Sequence, residues 1–289
     1  MTMLIRSSHL AVATDLSEAL HWRQEHPDAT VIAGGTEVLA DVALEEHHPR
    51  GYLHIGRIAA LQSVTITDQQ IVLGAGVTIE RLTKPDIAAA SPLLAQVAAS
   101  IGTPQARRRG TVGGNLGSGQ PDRSLAPALL ALGCTVVLQS QARGERRLSL
   151  ESFLIDRGQT GLAPGELITA LEIERCEGFQ AFTMVGPRPA LVYPTVSTAL
   201  VVNRQRRTLA LCLGNAGPTA VRSARAEALG SQLDWQGGPL SDELAKQFGQ
   251  LAATETAPID DVQASAEYRR HAIAVMARRL LQRAFASPS

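Results

Sequence analysis

Two glycine pairs carry the residue types best suited to chemistry. Gly34–Gly35 lies within Ala33–Glu37, and Gly113–Gly114 lies within Gly110–Asn115. The first pair follows the short apolar run Thr30–Ala33 and precedes Thr36; the second has Thr111 before it and Asn115 after it. Glycine reaches backbone angles closed to other residues and leaves no side chain in a ligand's way. Successive N–H groups in such a turn can converge on one point and form an anion cradle. The Thr36 and Thr111 hydroxyls and the Asn115 amide would add donors. A diphosphate is a natural occupant, and plain tight turns are the alternative; both readings stand open on these residues alone. The usual nucleotide fingerprints are absent. Gly74–Ala75–Gly76 has Ile79 where a third glycine would be needed, and no Gly-Lys-Ser/Thr follows a glycine loop.

Other chemistry-bearing residues are dispersed. His47–His48 sit between Glu45–Glu46 and Pro49 and read as a solvated loop, while His9, His21, His26, His54 and His271 are scattered and receive no catalytic role. Arg107–Arg109 could bind phosphate or a partner, or lie solvated or salt-bridged on a loop. Cys134, Cys176 and Cys212 are far apart with no CxxC, which argues for free thiols against a disulfide framework or zinc site. Three cysteines also fall short of the four that hold an iron–sulfur cluster. Lys+Arg and Asp+Glu both number 27, which argues against nucleic-acid or membrane binding driven by bulk charge. No signal peptide and no membrane span are expected, and the cytoplasm is the default location.

Several elements must position these residues. Asp15–Glu25 reads as a helix capped by Asp15, Thr30–Ala33 as a strand, Val38–Leu44 as a helix and Tyr52–Ile55 as a strand. Ser63–Ile66 and Gln70–Leu73 form a hairpin around Thr67–Asp68. Leu93–Ile101 reads as a buried helix, Gly102–Arg109 as a loop, and Gly110–Asn115 as a second glycine turn. Ala126–Leu132 follows as a helix, with Cys134–Gln139 and Leu167–Ile173 as strands. Beyond Gly178 the texture changes. Ala190–Val202 and Leu209–Leu213 read as strands, whereas Ala220–Leu229, Asp242–Leu251 and Ala264–Phe285 read as helices. Arg269, Arg270, Arg278, Arg279 and Arg283 read as the outer, basic face of the last helix, which a partner subunit could cover.

At Ala33–Glu37, and at Gln105–Arg107 leading into Gly110–Asn115, the sequence resembles the FAD-binding medium subunit of the molybdenum hydroxylases, the xanthine dehydrogenase and carbon monoxide dehydrogenase family. Pro121 with Leu125 and Pro127, Thr160 to Glu166, Gly186–Arg188, and Asn215–Thr219 with Arg222 continue the likeness over nearly the whole chain. The resemblance implies an α+β chain. A two-subdomain FAD-binding domain of the vanillyl-alcohol-oxidase/PCMH-like type would span residues 1–176, divided at about 57/58, and a smaller α+β domain would span 177–289. It implies that Val31, Ile32, Ala33, Gly34, Gly35, Thr36, Glu37 and Val38 wrap the diphosphate and ribityl chain. Thr111, Gly113, Gly114 and Asn115 would hold the other side, with Ile101 near the flavin ring and Ile168 further along the cofactor.

Ser124 stands where the family often has Asp, and Met184 where it often has Lys or Arg; the first weakens a ribose-type contact and the second alters the charge near the flavin. Tyr193 could approach the flavin or serve packing. Also implied are a large molybdenum-cofactor subunit, a small subunit with [2Fe-2S] clusters, and delivery of electrons to NAD+, a quinone or oxygen. A stand-alone FAD reductase or oxidase, and an assembly subunit without FAD, are the competing readings.

Overall fold

The computed structural model describes residues 10–44, 49–188, 193–236 and 240–286. His9, His47 and His48 lie outside them, as does the start of the strand expected from Ala190.

The N-terminal unit is a small parallel sheet. It contains β1 (Leu10–Val12), α1 (Leu16–Glu25), β2 (Thr30–Ile32), α2 (Val38–Ala43) and β3 (Tyr52–His54), with strand order β1-β3-β2. Asp15 caps α1 by accepting the Glu18 N–H at 2.8 Å, and the Glu18 carboxylate accepts the Thr14 N–H at 2.9 Å. β1 is not foreseen from sequence: three residues on a sheet edge, with Leu10 and Val12 exposed, carry no readable period.

The second unit is built on a five-stranded antiparallel sheet. The hairpin β4 (Val64–Ile66) and β5 (Gln70–Gly74) forms as the sequence suggests. Four short helices follow, α3 (Pro85–Ala90), α4 (Pro92–Ser100), α5 (Pro104–Arg109) and α6 (Val112–Gly117), and then α7 (Leu125–Ala131). β6 (Thr135–Ser140) and β7 (Gly144–Ser149) pair next, and α8 (Leu150–Phe153) with the small hairpin β8 (Leu154–Asp156) and β9 (Gln159–Thr160) leads to β10 (Leu167–Glu174). The strand order β4-β5-β10-β6-β7 puts β10 at the centre. β7 escapes the sequence reading because it is a polar edge strand, Gly-Glu-Arg-Arg-Leu-Ser.

The structure differs from the sequence pattern at two segments. Residues 104–109 are helical, because Pro104 occupies the first helical position and Thr103 caps it by accepting the Ala106 N–H at 3.1 Å. The second glycine pair is likewise no turn: Gly113 and Gly114 sit in the first turn of α6, with Thr111 as its N-cap.

The last unit has the four-stranded antiparallel sheet β11 (Phe179–Val185), β12 (Val196–Asn203), β13 (Thr208–Gly214) and β14 (Val221–Arg222). α9 (Ala224–Ala228), α10 (Asp242–Thr254) and α11 (Ala266–Ala284) complete it. The helix expected from Ala220 therefore begins only at Ala224, after the two residues of β14 pair with β13. β12 is buried along its whole length. Ala199 and Val201 on one of its faces, with Cys212 of β13, join the core of the second unit, while Val196, Leu200 and Val202 pack with Ile273, Met276 and Leu280 of α11. α7 is buried at every residue, as a helix between two sheets must be. Burying each of its leucines is worth about 2 kcal/mol.

Arg269 corrects the basic-face expectation. Its side chain is 1% exposed, and its Nη2 meets Asp261 at 2.6 Å.

All three cysteines are free. Burial pushes the Cys134 and Cys212 thiols well above their ordinary range, and half-buried Cys176 is raised less, again by burial, with the Asn203 amide opposing. Since the thiolate is the reactive form, a disulfide reagent at mildly alkaline pH is expected to label Cys176 alone, and slowly. All three should react once the chain is unfolded. Fast native labelling of Cys134 would show that the sheet–helix packing opens.

Candidate cofactor site

The first glycine pair leaves the C-terminal edge of the parallel sheet, directly after β2. Gly35 has φ +75°, in the left-handed region that favours glycine. The N–H groups of Gly34, Gly35, Thr36, Glu37 and Val38 have no acceptor among the described residues, and the Thr36 hydroxyl likewise makes no hydrogen bond. Five successive free donors beside the carboxyl ends of parallel strands suit an anionic ligand. Val31 to Gly35, Glu37 and Val38 are half-buried and Thr36 is exposed.

The second glycine segment meets this loop. A methyl on Gly34 would lie 1.8 Å from the Arg109 carbonyl oxygen, so the loop rests directly on the C-terminal end of α5. A methyl on Gly110 would lie 3.5 Å from the Thr36 hydroxyl. From Gly110 the chain is pinned to the second unit: Ile79 N–H donates to Gly110 O, Val112 N–H to Val77 O and Gly113 N–H to Ala75 O, each at 2.9 Å. A methyl on Gly113 would stand 2.6 Å from the Ala75 Cβ, so only glycine allows α6 to lie against that segment.

These bonds alter what the second segment can offer. The Val112 and Gly113 N–H groups are engaged, Gly114 N–H donates to the Thr111 hydroxyl at 3.1 Å, and Asn115 N–H donates to Thr111 O. The anion donors therefore lie in the first loop. The second segment contributes the Thr111 hydroxyl proton, the exposed backbone of Gly114, and the Asn115 side chain, whose Oδ1 is buried without a partner. Ile168, buried in β10, brings its Cδ1 within 3.5 Å of a methyl placed on Gly117 of α6. Ile101 caps α4, and its carbonyl accepts from Arg107 Nη1 at 3.4 Å. Ser124 is buried at the start of α7 and makes no capping hydrogen bond.

Residues 6–174 match the family described as the FAD binding domain in molybdopterin dehydrogenase, and residues 181–284 match the CO dehydrogenase flavoprotein C-terminal domain. The chain belongs to this family. Among its curated relatives, this flavoprotein subunit is 30% identical to the 6-hydroxypseudooxynicotine dehydrogenase complex subunit alpha of Paenarthrobacter nicotinovorans, over 89% of its own length and 87% of the relative's. It is 26% identical to the carbon monoxide dehydrogenase medium chain of Hydrogenophaga pseudoflava, over 90% of each chain. The solved structure of a carbon monoxide dehydrogenase from Hydrogenophaga pseudoflava superimposes with a TM-score of 0.89 at 25% identity, covering 97% of this chain and 98% of that one. The expected PCMH-like FAD fold with its C-terminal domain is thus present, and the chain is an FAD-binding oxidoreductase subunit.

The residues fit FAD. The free N–H groups of the first loop suit a diphosphate, and the orphaned Asn115 oxygen suits a hydroxyl donor such as the ribityl chain carries.

One structural member of the site was missed from sequence. Arg123, nearly buried, pairs with Glu37 of the first loop and with Asp122 at 3.0 Å, and its guanidinium lies 4.6 Å from the ring centroid of Tyr193. Burial alone would lower the Arg123 pKa, but Asp122 and Glu37 hold it above the ordinary value. Tyr193 itself is 55% exposed, with the guanidinium on its face, so a role in core packing does not hold. Asn215 ties the same corner together. Its N–H donates to Pro121 O at 2.8 Å, and its amide to Pro194 O and Thr195 O. Met184 lies in β11, paired with Ser197. The Gly74 N–H donates to Ser63 O and the Gly76 N–H to Leu61 O.

Proposed function

We propose that this chain is the FAD-carrying electron-transfer subunit of a molybdenum-containing hydroxylase complex. It would receive electrons from [2Fe-2S] clusters on a small partner and pass them to NAD+, a quinone or oxygen, with substrate oxidised at a molybdenum cofactor on a large partner. The observation that carries the reading is the run of five free N–H groups from Gly34 to Val38, braced by the end of α5, in a chain of the FAD-binding family. Three separated cysteines agree with clusters held elsewhere.

When bound, FAD exchanges electrons singly or in pairs, so it can join one-electron and two-electron partners. The chain's own residues supply placement and field. Gly34 to Val38 neutralise the diphosphate through their N–H groups, and Val31 to Ala33 lead the strand into it. Thr111, Gly114 and Asn115 would hold the polyol, with Gly113 as the packing point that fixes α6. Ile101 and Ile168 contribute apolar walls. Ser124, a neutral side chain, replaces a charged contact at its position. The residue 176/177 junction is the working boundary between cofactor and C-terminal domains, and the cytoplasm is the working location. Among the described residues no helix is long and apolar enough to cross a membrane.

The test is a visible spectrum of the purified full chain, followed by chromatography of the released cofactor. A flavin spectrum, with FAD released, is the expected result. Protein that is colourless and stays so with added FAD would overturn the reading. Co-purification with chains bearing molybdenum and iron checks the relay; a chain that turns over a small substrate alone would refute it.

A further inference from the structure

The feature left unused is a group of cations at the base of the Gly34–Val38 loop. His54 ends β3, the central strand of the parallel sheet, in register with Val12 of β1 and Ile32 of β2. It therefore stands at the carboxyl edge where ligands of parallel sheets bind. A methyl placed on Gly56 would lie 2.8 Å from Ala33 O and 2.9 Å from His54 Nε2, so the imidazole and the start of the loop surround one point. The imidazole is half-buried and has no hydrogen-bond partner among the described residues.

Two guanidiniums bear on it. Burial first, then the charges of Arg57 and Arg109, hold the His54 pKa below its ordinary value, so the free chain carries it neutral at neutral pH. Arg57 and Arg109 are exposed and have no carboxylate partner among the described residues, whereas Arg107 pairs with Glu80 and Arg123 with Glu37 and Asp122. In a chain with 27 cations and 27 anions, unpaired cations beside one loop are a local excess. The charged groups on the surrounding elements do not cancel it. Glu37 is held by Arg123, Asp15 and Glu18 are engaged in the α1 cap, Asp41 on α2 makes no ion pair among the described residues, and the charges that act on the His54 ring are those of Arg57 and Arg109. β1 and β2 carry no charge.

We propose that His54, with Arg57 and Arg109, forms a cationic wall on the phosphates of the ligand at the Gly34–Val38 loop, and that binding a diphosphate-bearing cofactor draws a fraction of a proton from solvent onto the His54 imidazole. This rests on the FAD reading of the same loop. The sign follows from linkage. A diphosphate beside the ring favours its charged form, so His54 is protonated to a greater extent in the complex than in the free chain, and binding tightens as pH falls. The diphosphate keeps its charge through this range, so the titrating group belongs to the protein. One unit of pKa change is a tenfold change in affinity.

The experiment is titration of the cofactor-free full chain with FAD, read by flavin fluorescence, from about pH 8 to about pH 5.5. Affinity is expected to rise about threefold to tenfold on acidification. His54→Gln should flatten that dependence. Calorimetry in two buffers of different ionisation enthalpy needs no variant and should show net proton uptake on binding. Affinity independent of pH, uptake of no proton, or an unchanged dependence in His54→Gln would each overturn the inference while leaving FAD binding intact. Absence of FAD binding at every pH would instead overturn the functional reading beneath it.

Discussion

Gly34→Ala is expected to abolish retention of FAD and to destabilise the N-terminal unit. The added methyl would lie 1.8 Å from the Arg109 carbonyl oxygen and 2.5 Å from its carbon, both backbone atoms that no rotamer change can move aside. Either the loop after β2 lifts off α5, or α5 is displaced from its place under the loop. The first route scatters the five free N–H groups, and the second pulls on the Ile79–Gly110 hydrogen bond that anchors the segment before α6. Overpacking of this kind costs about 3 kcal/mol, and FAD affinity should fall by at least about a hundredfold. Gly114→Ala is the control. There a methyl meets only the Thr111 hydroxyl, at 3.1 Å, and alanine favours the helix by up to about 1 kcal/mol, so stability should hold or rise slightly. Denaturation midpoints of the two variants, with an FAD titration of Gly34→Ala against the parent chain, provide the comparison. A Gly34→Ala chain with parental stability and affinity would show that the two glycine segments act independently.

The first glycine loop was legible because a short apolar strand, Gly-Gly and a helix form a local pattern, and α1 announced itself through its cap. The second segment was misread because Gly-Gly usually signals a turn, whereas here the Thr111 cap and the close approach to Ala75 make it a helix start. Pro104 misled in the same way, since a proline that breaks one helix also starts another. β1 and β7 gave little signal because edge strands need not bury a face. Arg123, Arg269 and His54 were illegible for a different reason. Their meaning comes from partners brought close only by the tertiary fold: Glu37 lies 86 residues from Arg123, and Arg109 lies on a different unit from His54. Residue type placed Arg269 on a solvated face, yet Asp261 allows it to be buried.

Arg123 supports the second large expectation, because it is the point where the first loop, the segment before α7 and Tyr193 meet. Replacing it with Met keeps much of the volume but leaves Glu37 and Asp122 without their cation and removes the guanidinium from the Tyr193 ring. Both carboxylates keep some contact with water, at 29% and 28% side-chain exposure, so the loss should fall below that of a fully buried pair, at about 2 to 3 kcal/mol. Glu37→Gln removes one charge from a partly solvated position and should cost about 1 kcal/mol. The two changes share an interaction, so their effects should not add; a double-mutant cycle is expected to give a coupling of about 1 to 2 kcal/mol. FAD affinity should fall about tenfold in Arg123→Met, because Glu37 and its neighbouring N–H groups lose their tether. Arg123→Lys restores the charge without the planar fork and should recover part of the stability. Chemical denaturation of the single and double variants measures the coupling. Strictly additive losses, or an Arg123→Met chain within about 0.5 kcal/mol of the parent, would mean that the loop is held by its contact with α5 alone.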